Sequence, residues 1–276
     1  MRKYFVAGFA GFAGFAAIGI GAVLASGAFA QGTPIQTPIQ TPIPPITCPA
    51  GNSPGVICQQ GDGGLIITGT AGDDTIVGSP GNDIIACGAG DDVAAGGTGN
   101  DEIRCQAGDD RVNGNEGNDK LGGDGDNDIV SGDSGNDGVS GNTGNDRVFG
   151  NTGNDRVFGR EGRDRVSGGT GRDRILGNRG PDRLRGGDGN DKAQGGPGRD
   201  GVSGGGGRDG VSGNRGNDRV SGGSGRDRIF GRAGNDRLRA RDGARDNVDG
   251  GNGRDRAQVD RRPRDRVVRV ERVSRG

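Results

Sequence analysis

The sequence predicts an all-β fold: a parallel β-roll, that is, a right-handed β-solenoid with two nine-residue repeats in each coil. Three regularities carry the prediction. Aspartate recurs every nine residues through nineteen registers. Glycine stands two and five residues before almost every one of them. An aliphatic residue stands two after, from Ile76 to Leu238. Long periods of this kind mark architectures in which each unit packs only on its neighbours.

The aspartates are Asp74, Asp83, Asp92, Asp101, Asp110, Asp119, Asp128, Asp137, Asp146, Asp155, Asp164, Asp173, Asp182, Asp191, Asp200, Asp209, Asp218, Asp227 and Asp236. The preceding glycine fails only at Asp126, and the earlier one only at Cys87 and Cys105. The consensus is Gly-x-x-Gly-x-Asp-x-aliphatic-x, with aspartate in the sixth position. The first six residues suit a tight turn and the last three a short strand whose central side chain faces inward. With two repeats per coil, each turn of the roll takes up twice the nine-residue period and contributes one strand to each of two parallel sheets set back to back. Nineteen repeats then make nine to ten coils, a rod on the order of 45 Å long at a strand spacing of about 4.8 Å.

Composition excludes a conventional core. Gly accounts for 65 of 276 residues, hydrophobic residues for 28% and aromatics for 3%, with no Trp and no His. Large apolar side chains supply most burial energy, so something else must help to order this chain. Stacked coils superimpose the aspartates in columns of like charge along each edge. A hard divalent cation resolves that conflict. Calcium takes six to eight oxygens in flexible geometry, from carboxylates and from the carbonyls of glycine-rich turns, whereas magnesium demands a stricter octahedron. Zinc and copper favour His or thiolate. The sequence thus points to multiple Ca2+ ions with the nineteen aspartates as ligands.

The flanking segments are read in order. Residues 1–30 have the form of a signal peptide: Arg2 and Lys3, an apolar stretch from Tyr4 to Leu24, then Ala28-Phe29-Ala30 as a cleavage site. An uncleaved anchor is the alternative; with cleavage no stable membrane span is left. Residues 31–60 are a Pro-rich linker and a Cys-containing lead-in, extended where proline is dense. Residues 61–239 are the roll, with a lead-in strand at Leu65, Ile66 and Ile67. From Gly243 the nine-residue register slips, and 240–276 is assigned as a C-terminal cap, which solenoids require.

Within the repeats, Gly168-Gly169-Thr170-Gly171-Arg172-Asp173-Arg174-Ile175-Leu176 resembles the nonapeptide of the repeats-in-toxin (haemolysin-type) calcium-binding family. The resemblance covers roughly residues 69–239. It implies a calcium-loaded parallel β-roll, ions held between turns, and the sixth-position aspartates as side-chain ligands. The sequence departs from the family in three ways: it has an N-terminal signal segment, it lacks an attached catalytic or pore-forming domain, and it carries arginine at fifth positions such as Arg163, Arg172, Arg199, Arg208 and Arg226. Arginine beside the aspartates competes with calcium, so stronger sites are expected from Asp74 to Asp155.

Other chemistry finds little support. Asp124, Asp126 and Asp128 imitate an EF-hand start, but Ile129 and Gly135 stand where its glycine and bidentate glutamate belong. No nucleotide-binding Gly-x-x-x-x-Gly-Lys-(Ser/Thr) occurs, and without His the commonest general base is missing. We expect a non-enzymatic protein, secreted or at the cell surface, that folds on binding calcium and serves a structural or interaction role. The rival function is polyanion binding by the Arg-rich second half. Residues 61–142 carry 17 acidic and 3 basic side chains, while residues 143–276 carry 31 basic and 20 acidic ones. An anionic cell-surface polymer is the partner this charge suggests. The simpler reading is solvated outward charge, each Arg bracketing an Asp.

The four cysteines test the coil length. An exported chain with an even count is expected to oxidise them. Cys48 and Cys58 are close enough in sequence to close a local loop. Cys87 and Cys105 both replace the first glycine and stand two repeats apart. With two repeats per coil they stack about 4.8 Å apart, within the range a disulfide tolerates. The expected pairs are Cys48–Cys58 and Cys87–Cys105.

Overall fold

The structure is a computed structural model that describes residues 48–261 and 265–276. The expected signal segment and the residues of the linker up to 47 lie outside the described residues. Twenty-five strands, numbered in chain order, form two sheets. Sheet one holds thirteen strands, beginning with β1 (Ile57–Gln60), β2 (Leu65–Thr68) and β4 (Ile84–Ala86) and ending with β24 (Arg266–Val268). Sheet two holds twelve, from β3 (Thr75–Val77) to β25 (Arg272–Arg275). From β2 onward, successive strands alternate between sheets, and each pairs in parallel with the strand two places on.

The register fixes the coil. Val148 pairs with Val130 on one side and Val166 on the other, each two repeats away in sequence. Two repeats therefore make one coil, as the sequence predicts. In the repeats from Ile76 to Ile229 the core is one aliphatic side chain per strand, among them Ile76, Val112, Val148, Ile175 and Ile229, all buried. Alternation along a strand sends the flanking residues outward, as in the pattern of Arg147–Thr152, where Val148 and Gly150 face in.

Strands are longer than the three residues expected. From Val93–Thr98 onward most run six residues, through the first glycine and two residues beyond. The reason is a kink that does not end the pairing. The residue after the first glycine adopts a left-handed conformation, as at Asn115 (φ 76°), Asn142 (φ 80°) and Asn151 (φ 75°). Asn, Asp and Gly reach that region most readily, and they dominate this position. That residue and the next pair again, Asn151 with Gly169 and Thr152 with Thr170. The fourth-position glycine leaves no room for a side chain: a Cβ at Gly135 would overlap the carbonyl of Gly117 in the coil before.

The N-terminal end is sealed. β1 pairs antiparallel with β2, so residues 57–60, assigned to the lead-in from sequence, belong to sheet one. The edge of β3 is covered by the preceding loop: Ser53 N–H donates to Thr75 O at 2.8 Å, and Val77 N–H donates to Asn52 Oδ1 at 2.9 Å. Cys48 and Cys58 are disulfide-bonded with Cα atoms 5.3 Å apart, tying this cap down.

The C-terminal segment differs from expectation. The slip near Gly243 does not end the roll. Asp227 N–H donates to Asp246 Oδ1 and Asp236 N–H to Asp255 Oδ1, each reaching one residue further along the chain than the corresponding bonds of earlier coils. One extra residue is accommodated between Ala240 and Asp246, and the coils continue with Asn247–Asn252, Arg256–Val259, β24 and β25. The residues assigned as a cap are thus further coils. With the N-terminal hairpin they lengthen the solenoid from the expected nine or ten coils to one for each of the twelve strands of sheet two.

Candidate metal centres

Each repeat aspartate sits where the turn enters the next strand, and its side chain points inward. All nineteen are at most 4% exposed. One carboxylate oxygen has a fixed partner. Asp137 N–H donates to Asp155 Oδ1 at 2.9 Å, and Asp155 N–H donates to Asp173 Oδ1 at 2.9 Å. The same bond, 2.8–3.0 Å long, links every such pair from Asp74–Asp92 to Asp218–Asp236. The coils are therefore laced together along both edges by carboxylates as well as by the sheets.

The other oxygen, Oδ2, has no partner. From Asp92 through Asp236, and again at Asp246 and Asp255, it is buried and without a hydrogen bond. An anionic oxygen left so is costly. It faces the first glycine of its own repeat. A Cβ on Gly150 would stand 2.6 Å from the carbonyl oxygen of Gly168 and nearer still to Asp155 Oδ2. The corresponding points at Gly96 and Gly195 lie 2.8 Å from Gly114 O and 2.7 Å from Gly213 O, beside Asp101 Oδ2 and Asp200 Oδ2. These repeats, and those of Gly114, Gly168, Gly177, Gly186, Gly204 and Gly231, thus have a small cradle with a carboxylate oxygen on one wall and a main-chain carbonyl of the next coil on another. Only glycine can line it.

Electrostatics follow from burial. From Asp92 to Asp236, desolvation raises the repeat aspartates above the ordinary carboxylate range, to about 8 at Asp128 and about 7 at Asp155, Asp200 and Asp209. The backbone N–H bond works against this, and the neighbouring aspartates of the column reinforce it. A divalent cation would offset the same penalty. The donors are oxygen alone, and among the described residues no three His, Cys, Asp or Glu side chains converge. A carboxylate oxygen with backbone carbonyls suits calcium, whose shell is large and tolerant of geometry.

The nineteen positions are not equivalent. Asp74 Oδ2 accepts from Thr70 N–H at 2.6 Å and from Thr70 Oγ1 at 2.9 Å. Asp83 Oδ2 accepts from Ser79 N–H, and its Oδ1 from Leu65 N–H, both at 2.5 Å. These two serve the N-terminal coils as hydrogen-bond acceptors. At the repeats of Asp92 and Asp110 the first glycine is Cys87 or Cys105. The two cysteines are fully buried and disulfide-bonded, Cα atoms 4.6 Å apart, in adjacent coils. Sulfur thus takes the place of the glycine cradle there. Asp246 and Asp255, missed by counting in nines, share the unpaired buried oxygen of the other repeats. Gly250-Gly251-Asn252-Gly253-Arg254-Asp255 is a complete turn sequence, displaced by one residue.

The arginines beside the aspartates face solvent. Arg163, Arg165, Arg172 and Arg174 are exposed while Asp164 and Asp173 are buried. The cradle at Asp173 has the same lining as that at Asp101, so the geometry gives no sign of the expected weakening in the second half.

The comparison with known families agrees with this architecture. The profile of the RTX calcium-binding nonapeptide repeat (4 copies) matches residues 68–103, 88–121, 106–139, 140–175, 176–211 and 212–245, together more than half of the chain. No curated protein matches the sequence significantly. On its repeats, its stacked parallel coils and the span of these matches, the chain belongs to the RTX calcium-binding nonapeptide repeat family.

Proposed function

We propose that this protein is an exported, non-enzymatic rod that folds on binding calcium and acts outside the cell as a structural or interaction element. The observation that carries the reading is the run of buried, unpaired Asp Oδ2 atoms, one per repeat from Asp92 to Asp255. Asp101 and Asp119 through Asp236, with Asp246 and Asp255, are the ligands assigned, each with carbonyls of the first glycine positions. Bound calcium supplies positive charge to a carboxylate that has lost its water. The chain's own part is to hold Oδ1 on a backbone N–H so that Oδ2 is aimed at the cradle.

Export is supported by the two disulfides, which fit an oxidising compartment, and by the signal-like sequence of residues 1–30. No helix among the described residues is long and apolar enough to cross a membrane. Folding on binding is supported by composition: one buried aliphatic side chain per repeat of nine residues is little apolar burial with which to order a glycine-rich chain. A circular dichroism titration with calcium tests the reading. The β signal should rise cooperatively with calcium and collapse on chelation; a chelated sample with full β signal and native compactness would overturn it.

A further inference from the structure

The sequence balances each arginine against a neighbouring aspartate, but the fold separates them. Of the 20 acidic residues in 143–276, fifteen are buried aspartates. Those left outside are Glu161, Asp188, Asp242, Asp249 and Glu271. Every Arg and Lys described in this half is exposed. Among the described residues only Arg179 and Arg269 of this half form ion pairs, with Glu161 and Asp249. The surface is therefore far more positive than the sequence balance suggests.

The charge is also ordered. In sheet two the residue after the aspartate stacks in register, Arg147 on Arg165, Arg165 on Arg183, then across Gly201 to Arg219, Arg237 and Arg256. Neighbouring coils are about 4.8 Å apart, well inside the screening length of about 8 Å at physiological salt, so these guanidinium groups repel one another. A second, sparser column stands across the turn, with Arg163, Arg199 and Arg254 separated by Pro181, Asn217 and Asn235. Together the two lines wall clefts that follow one corner of the roll, one cleft spanning Arg163 to Arg219 and another Arg199 to Arg272. The matching row in sheet one, Arg156, Arg174, Lys192, Arg228 and Arg266, is interrupted twice, at Gly210 and Asn247.

We propose that this corner binds an extended anionic polysaccharide running along the axis of the roll. A straight row of forked guanidinium groups, one per coil except at Gly201, suits a straight polymer with a carboxylate or sulfate on each sugar, since a ring is about as long as one 4.8 Å strand spacing. Duplex DNA fits less well, because its phosphates wind away from a straight row. Single-stranded nucleic acid would want aromatic platforms, and the clefts are lined by none. A second copy offers a poor match: of the nine outward acids of residues 61–142, only Asp73, Asp91 and Asp109 stack in register, a run much shorter than the Arg row. The inference uses the calcium reading only in that the roll must be folded.

The test uses the calcium-loaded full chain and chondroitin sulfate, which carries about one charge per ring, with duplex DNA as comparator. Two fourfold variants remove equal charge: R165Q/R183Q/R219Q/R237Q from the row, and R156Q/R174Q/R208Q/R228Q, scattered over the sheet-one side of the roll. Dichroism confirms that each is folded. The row variant should lose at least tenfold in affinity and show a shallower salt dependence, the scattered variant less than threefold. Equal losses, tighter binding of DNA, salt-dependent self-association in place of polymer binding, or no binding by the native chain would each overturn the proposal. A chain that folds without calcium would defeat the functional reading above and leave this comparison intact.

Discussion

At the scale of the residue, the informative group is a single carboxylate with two unlike oxygens. Asp155 Oδ1 takes the N–H of Asp137, while Oδ2 has no partner. Substitutions separate the two roles. Asp155→Asn keeps an acceptor for Asp137 N–H and removes the buried charge; Asp155→Ala also strands that donor, at a further cost of about 1–3 kcal/mol. Both should lower the bound calcium count in calorimetry, and the alanine variant should need more calcium to fold. Equal folding midpoints would show that Oδ1 contributes nothing. Acid gives a second expectation. Carboxylates raised to about 6 at Asp110 and about 8 at Asp128 bind protons more readily folded than unfolded. Their contribution to the metal-free roll is fully present below the unfolded value of about 4 and is lost as pH rises through about 6–8. The chelated protein should thus gain β signal when acidified from pH 8 to 5, while calcium affinity falls over the same range. A chelated sample unaffected by pH would mean that these side chains do not titrate on folding.

At the scale of the element, the first-position glycine decides what each turn can hold. In most repeats it leaves a cradle; at Cys87 and Cys105 it gives way to a disulfide joining adjacent coils. Closing a loop of this size stabilises by about 3 kcal/mol. The double change Cys87→Gly/Cys105→Gly restores the turn sequence of both repeats. It should increase the calcium bound per chain while removing protection of the first coils from protease in chelator. Unchanged stoichiometry would show that glycine alone does not make a cradle. Much of this was legible in the sequence. A strict period of nine with an aliphatic residue two after each Asp leaves little choice of topology, and the two-repeat spacing of Cys87 and Cys105 sets the coil. Three features were not legible. The left-handed residue that carries the strand past Gly150 depends on a kink that pairing tolerates. Asp74 and Asp83 owe their hydrogen bonds to Thr70, Ser79 and Leu65, in a part of the chain whose stacking the repeat pattern does not specify. Asp246 and Asp255 were hidden because one added residue defeats counting but not stacking.

At the scale of the whole roll, the two ends differ. The first coils are held by two disulfides, the β1 hairpin, and Asn52 and Ser53 on the edge of β3. The outer edges of β24 and β25 carry no strand partner among the described residues, and Val268 and Val273 are each 40% exposed. Order should therefore be lost from the C-terminal coils first as calcium is withdrawn. Limited proteolysis under partial chelation should yield a ladder of fragments that all keep Cys48 and Cys105, whereas fragments trimmed from the other side would contradict it. The two-repeat coil has a last consequence, one of parity. Inserting a pair of repeats adds one storey and leaves every later residue above its former neighbour, on the same sheet and the same corner. Inserting a single repeat sends everything downstream to the opposite side, so that an Arg row begun on sheet two resumes on sheet one. Growth by pairs preserves long-range surface patterns, and growth by single repeats scrambles them. Any pattern that runs straight along this roll can therefore survive changes of length only in even steps.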